Sequence, residues 1–138
     1  MTRRSAVDVW TYVLILGALG NIANGLWMLA DPAGWFTGVP AAVPDSGPLN
    51  EHFVRDIGSV FTMLGIGMVW AAFAPAVRVA LMSMVALFYT LHALVHVFDT
   101  LRGLFLPTHW AIDFPAVYFP ALLMIGIVCI LVRREAPL

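Results

Sequence analysis

Four apolar stretches, each near the length of a membrane span, dominate this chain and constrain its fold more than any other feature. A span needs about 20 mostly apolar residues, because a helix rising about 1.5 Å per residue has to cross about 30 Å of hydrocarbon. The stretches at about 7–30, 53–73, 76–101 and 111–132 meet that requirement. The third carries no formal charge between Arg78 and Asp99, and the fourth stops at Arg133 and Arg134. Of the 138 residues, 62% are hydrophobic and 11% charged, against about 45–50% and about 25% in soluble domains. A water-soluble fold of this size could not hide so much apolar surface. The expected fold is all-α: one domain, a polytopic membrane protein built as a four-transmembrane-helix bundle in the lipid bilayer.

Arginines orient such a bundle. With four spans drawn, Arg3, Arg4, Arg78, Arg133 and Arg134 fall on one side, and only Arg55 and Arg102 fall toward the other. The positive-inside rule then predicts that both termini are cytoplasmic. The run after Arg3 and Arg4 is read as a retained helix: it is longer than the roughly 7–15 residues of a signal-peptide core and lacks a clear A-x-A site. Trp35, Phe36, Phe105 and Trp110 suit the outer interface, and Trp10, Trp70 and Phe73 the inner one. The long connection at 31–51 is expected in the periplasm, broken by its prolines and glycines, as a connector or a lid. Small-residue stripes (Gly17, Gly20, Ala23; Gly58, Thr62, Gly65; Ser83, Ala86, Thr90, Ala93) offer close helix contacts. Pro115 and Pro120 are expected to bend the fourth span.

Several chemistries are excluded by absence. The chain has no lysine, so no lysine imine forms, and its one cysteine, Cys129, rules out disulfides, CxxC redox pairs and iron–sulfur clusters. Glu51 and Glu135 are the only glutamates, too few for a di-iron carboxylate site. Ser59 and Ser83 lack the context of a nucleophile elbow. A net charge of -1 gives no reason to expect nucleic acid.

The polar residues within the spans gather at one level. With the orientation above, Asn21 and Asn24, His52, Arg55 and Asp56, His92, His96 and Asp99, and His109 and Asp113 all fall in the outer half. His92, His96 and Asp99 are spaced i, i+4, i+7 and share a helical face. At about 1.5 Å per residue, His96 lies roughly 9 Å inside Arg102 and His92 roughly 15 Å. Ionisable groups at such depth are costly and mark functional sites or paired networks. A transition-metal site is the leading expectation. His92 and His96 chelate, Asp99, Asp56 and His52 complete the shell, and Arg55 balances charge opposite Asp99 or Asp113; Asn21 and Asn24 bond the remaining imidazole nitrogens. Copper, iron and zinc all fit such donors, and so does a b-type haem held by His92 or His96 with His52. His109 is expected at the interface, and Asp113 as the cap of the fourth helix. Two other readings stay open: an accessory subunit of a homo-oligomer or larger membrane complex with a structural cluster, and a relay for protons or small solutes.

The segments NGLWMLADPAGWF (Asn24–Phe36), NEHFVRDIG (Asn50–Gly58), LHALVHVFD (Leu91–Asp99) and HWAIDFPAVYFPALL (His109–Leu123) resemble a family of small bacterial membrane proteins of unknown function. HFVRDIG and LHALVH carry most of the likeness. The resemblance implies four membrane helices and a bacterial source, and it implies no activity, cofactor or partner; with the orientation above, the expected location is a bacterial inner membrane.

Overall fold

The computed structural model describes residues 7–135; Arg3 and Arg4, on which the expected orientation partly rests, lie outside the described residues. Six helices follow one another: α1 (Val9–Ala30), α2 (Pro32–Gly38), α3 (Glu51–Phe73), α4 (Pro75–Leu101), α5 (His109–Asp113) and α6 (Phe119–Glu135). A 3-10 turn spans Val43–Ser46, and a π turn, Phe114–Tyr118, joins α5 to α6. No strand occurs among the described residues. Four segments are long and apolar enough to cross a membrane: α1, α3, α4 and the run His109–Arg134. The all-helical, multi-pass makeup predicted above is what the chain adopts. The connection after α1 is more regular than its composition suggests. Pro32, whose missing N–H is harmless in a first turn, opens a seven-residue helix there.

The chain divides into two compact units, 1–32 with 51–82 and 33–50 with 83–138, and α4 runs unbroken through the division. In the first unit α1 and α3 pack antiparallel. Thr11 donates its hydroxyl to the Ala72 carbonyl at 3.2 Å, Ala18 lies against Gly65, and Gly25 against Gly58. These partners recur every seven residues on both helices, the spacing that keeps one seam facing its partner along a left-handed coil. The approach is at backbone level: a Cβ on Gly58 would stand 2.9 Å from the Gly25 carbonyl oxygen, and one on Gly65 2.9 Å from that of Ala18. The expected stripe on α3 is therefore the contact surface. On α1 it is so only in part: Gly17 lies against Met68, but Gly20 has nothing within 4 Å, and the seam runs through Ala18 and Gly25. A sequence this rich in small residues offers several phases, and periodicity does not choose among them.

One end of this pair is closed by Arg78, the first basic residue of α4. Asp8 caps α1, accepting from the Thr11 N–H at 2.9 Å, while its own N–H donates to the Thr11 hydroxyl. Buried Arg78 donates Nε to the Ala71 carbonyl, Nη2 to that of Ala72 (both 3.0 Å) and Nη1 to Asp8 Oδ2 at 2.8 Å. It thus satisfies two carbonyls that the end of α3 leaves without helical partners. The guanidinium holds the Asp8 carboxyl below the usual carboxylate range, against an opposing push from partial burial, with help from the Thr11 N–H.

In the second unit α4 ends in a Schellman turn. Gly103 takes the left-handed conformation (φ 82°), its N–H donates to Thr100, and the Leu104 N–H donates to Asp99. The chain then returns through Phe105 to α5. Along α5, the π turn and α6 the buried side is His109, Asp113, Val117, Ala121, Met124, Ile127 and Leu131. Steps of four drift about 40° each around an ideal α-helix. The wide turn at Pro115, a residue that cannot donate to the α ladder, absorbs that drift and keeps the first four positions on one side. The large side chains left exposed, such as Leu16, Ile66, Leu94 and Leu122, suit acyl chains rather than water.

Candidate functional site

The second unit assembles a chain of acids and imidazoles. The 3-10 turn follows Ala42, which sits in the left-handed region at φ 48°, and presents the exposed carboxylate of Asp45. His109 approaches Asp45 Oδ2 with Nε2 at 3.0 Å. On its other side, His109 Nδ1 faces Asp113 Oδ1 at 3.6 Å. Asp113 Oδ2 meets His96 Nδ1 at 2.9 Å. A carboxylate only accepts, so the short contacts place protons on His109 Nε2 and His96 Nδ1. Beyond His96 lies His92, with ring centroids 4.8 Å apart and planes at 70°.

Burial and stacking fix these rings. His109 is 3% exposed and Asp113 1%, so both are held by the fold rather than by water. Phe105, delivered by the Schellman turn, stacks on His109 at 4.5 Å and on His96 at 6.1 Å. Phe88 stacks on His92 at 5.9 Å, with planes 3° apart. Phe88 thus stacks on the last imidazole of the chain from the same helix, while the exposed carboxylate of Asp45 stands at the other end.

The site differs in its members from the one expected by spacing. His92 and His96 are adjacent as predicted, but Asp99 accepts from Arg102 Nε at 2.7 Å, one turn along its own helix. In the first unit His52 and Asp56 lie 3.6 Å apart, both exposed, and Arg55 pairs with Glu51 at 3.0 Å. Asn21 donates to the Gly17 carbonyl and approaches the Met68 sulfur, and Asn24 approaches that of Met28. Those five residues thus find partners within their own unit. His109 is buried within the protein, and Asp113 makes no side-chain cap but bonds across to α4. Among the described residues, no group of three or more His, Cys, Asp or Glu side chains is arranged to hold a metal ion.

Two members escaped the sequence reading in part. The His109–Asp113 spacing was visible, and with Pro115 two residues on it marked an irregular helix start; its burial was not. Asp45 carried no signal at all, since only the backbone path of the loop brings it to His109.

Four buried polar atoms near the π turn have no hydrogen-bond partner among the described residues: His109 Nδ1, Asp113 Oδ1, Thr100 Oγ1 and the Tyr118 hydroxyl. Tyr118 lies within electrostatic reach of Asp113, and its hydroxyl interacts with that of Thr100 without closing to hydrogen-bond geometry. Set against protein-family models, curated proteins and solved structures, the chain finds no match in any of the three.

Proposed function

We propose that this is a multi-pass membrane protein that takes up protons at one face of the bilayer, through Asp45, His109 and Asp113, and stores them as far in as His96. The observation that carries the reading is the alternation. His109 gives one ring nitrogen to each of two carboxylates, and Asp113 gives one oxygen to each of two imidazoles. A proton arriving at one nitrogen of His109 is matched by one leaving the other, and the same holds for the two oxygens of Asp113. Such chains of Asp and His inside a membrane are what proton relays are made of. The His109–Asp113 step is longer than a hydrogen bond, so transfer there waits for the pair to close to about 3 Å. Because α4 carries no acid and no further imidazole between His92 and Arg78, the path is read as one of uptake rather than a conduit through the bilayer.

A bacterial inner membrane, cytoplasmic termini, a periplasmic opening of the path and membership of the small-membrane-protein family that HFVRDIG and LHALVH resemble belong to the same proposal. Infrared difference spectroscopy of the full chain in bilayers tests it. Lowering the pH should produce a carboxylic-acid band of a water-excluded group, lost in Asp113→Asn, and imidazole bands altered in His96→Gln. If neither carboxyl nor imidazole bands change with pH, and both variants only lower thermal stability, the network is structural and the chain is better read as an accessory subunit.

A further inference from the structure

We propose that the Val43–Ser46 turn is a hinged lid over His109, latched by Asp45, whose opening admits water to the head of the polar chain. The turn is bonded mainly to itself. The Asp45 N–H donates to the Ala42 carbonyl at 3.0 Å, and the Gly47 N–H to that of Pro44 at 3.3 Å. The Ser46 hydroxyl donates to the Val43 carbonyl at 2.7 Å. Pro44, Asp45 and Ser46 are exposed and Val43 is half-buried, so little apolar contact holds the turn down, the mark of a segment that opens locally. Among the described residues, a single hydrogen bond ties Val43–Ser46 to the helices of its unit: His109 Nε2 to Asp45 Oδ2, at 3.0 Å.

The backbone at both ends of the turn is that of a hinge. Ala42 sits in the left-handed region at φ 48°, and Gly47 has φ 133°. Glycine takes a positive φ without steric cost, whereas an alanine there is crowded by its Cβ. The closed turn therefore holds Ala42 against its preference, and release of the latch lets that residue relax. One hydrogen bond is set against one strained residue.

What the turn covers is the entry to the polar chain. His109 is 3% exposed, with Phe105 stacked on its ring at 4.5 Å and Asp113, itself 1% exposed, at Nδ1. On the Nε2 side its partner is Asp45, whose side chain is 59% exposed. Lifting the turn bares Nε2 to water. The latch also responds to charge, because a hydrogen bond to a carboxylate is about twice as strong as one to a neutral group. A proton captured by Asp45 thus loosens the hold on His109. The titratable groups facing His109 are Asp45 from the turn and Asp113 from its own helix, the latter paired in turn with His96 of α4. That the lid admits protons rests on the uptake reading above; that it covers His109 does not.

Diethyl pyrocarbonate, which acylates accessible neutral imidazole, tests the lid on the full chain in lipid nanodiscs at neutral pH, with each modified site read by mass spectrometry. His52, whose side chain is 89% exposed, is the reference within the same molecule. In the wild-type chain His109 should react far more slowly than His52. Asp45→Ala should speed His109 by about 10–100-fold, as loss of a hydrogen bond to a charged group implies. Asp45→Asn, which keeps an acceptor without the charge, should fall between. Ala42→Gly, which removes the strain and leaves the latch, should slow His109 by about two- to fivefold. Equal rates at His109 and His52 in the wild-type chain, a His109 rate unmoved by Asp45→Ala, or a faster one in Ala42→Gly would overturn the proposal. The reagent reads access rather than protonation. A latch-dependent His109 in a chain without pH-dependent infrared bands leaves the lid without uptake, and the reverse pattern leaves uptake without the lid.

Discussion

Asp113 and Arg78 are each nearly buried, each ionisable, and each join segments distant in sequence, yet they differ in how far the sequence foretold them. Arg78 reads from sequence as a cytoplasmic anchor at a helix start. Its actual work, binding two carbonyls of α3 and the cap of α1, depends on a chain reversal at Ala74 and Pro75 that no spacing rule predicts. Arg78→Ala leaves those carbonyls unsatisfied and should lower stability by about 1–3 kcal/mol, measured by unfolding in mixed micelles. Its partner Asp8 gives a pH signature. Because the folded chain holds the Asp8 carboxyl below 3.8, the pair's contribution is complete above the ordinary carboxylate range and is lost as pH falls through the lowered value. Asp8→Asn should therefore cost stability at neutral pH and cost progressively less in acid; equal loss at both would mean that the pair contributes nothing. Asp113→Ala strands the His96 N–H and should cost about 1–3 kcal/mol as well.

At the scale of elements, hydropathy made the spans legible because a long apolar run has few ways to be satisfied other than as a membrane helix. Their observed limits differ from those predicted by only a few residues. Less legible was which face of each helix meets which neighbour. Gly58 and Gly65 were identified, since α3 offers one dominant small stripe, whereas α1 offers two and the structure uses the one through Ala18 and Gly25. The two glycines 20 and 58 make a controlled comparison. Gly58→Leu drives a side chain into α1 and should destabilise by about 1–3 kcal/mol or more, whereas Gly20→Leu has nothing within 4 Å to meet and should be neutral in the same unfolding assay. An equal effect of the two would refute the α1–α3 seam.

For the whole molecule, composition alone decides the environment, and the structure agrees: four segments can cross a bilayer, and leucines and isoleucines cover their outer sides. The chain should stay with membranes through alkaline carbonate washing, and reporters fused at its two ends should read the same side, as an even number of spans requires. The candidate site was legible at the coarser level only. That His92 and His96 share a face followed from their spacing, but the pairing of the site followed from Asp45 on a loop and from Phe105 behind a Schellman turn, both set by tertiary contacts.

The π turn at Phe114–Tyr118 has a consequence for how this chain can vary in length. It holds one residue more than an α turn would, and that residue sets the angle between His109 and Asp113 at the head of the fourth span and the packing side of α6. Deleting a single residue there would let the α ladder run through and leave Ala121 seven positions from Asp113, about 20° from alignment, so the packing side of α6 stays in line with the polar head. Deleting one within regular α6 would instead rotate everything beyond it by about 100°. The turn thus acts as a buffer for length: a residue lost within it is absorbed, while the same loss inside α6 would turn the apolar stem away from its packing side and leave its hydropathy intact.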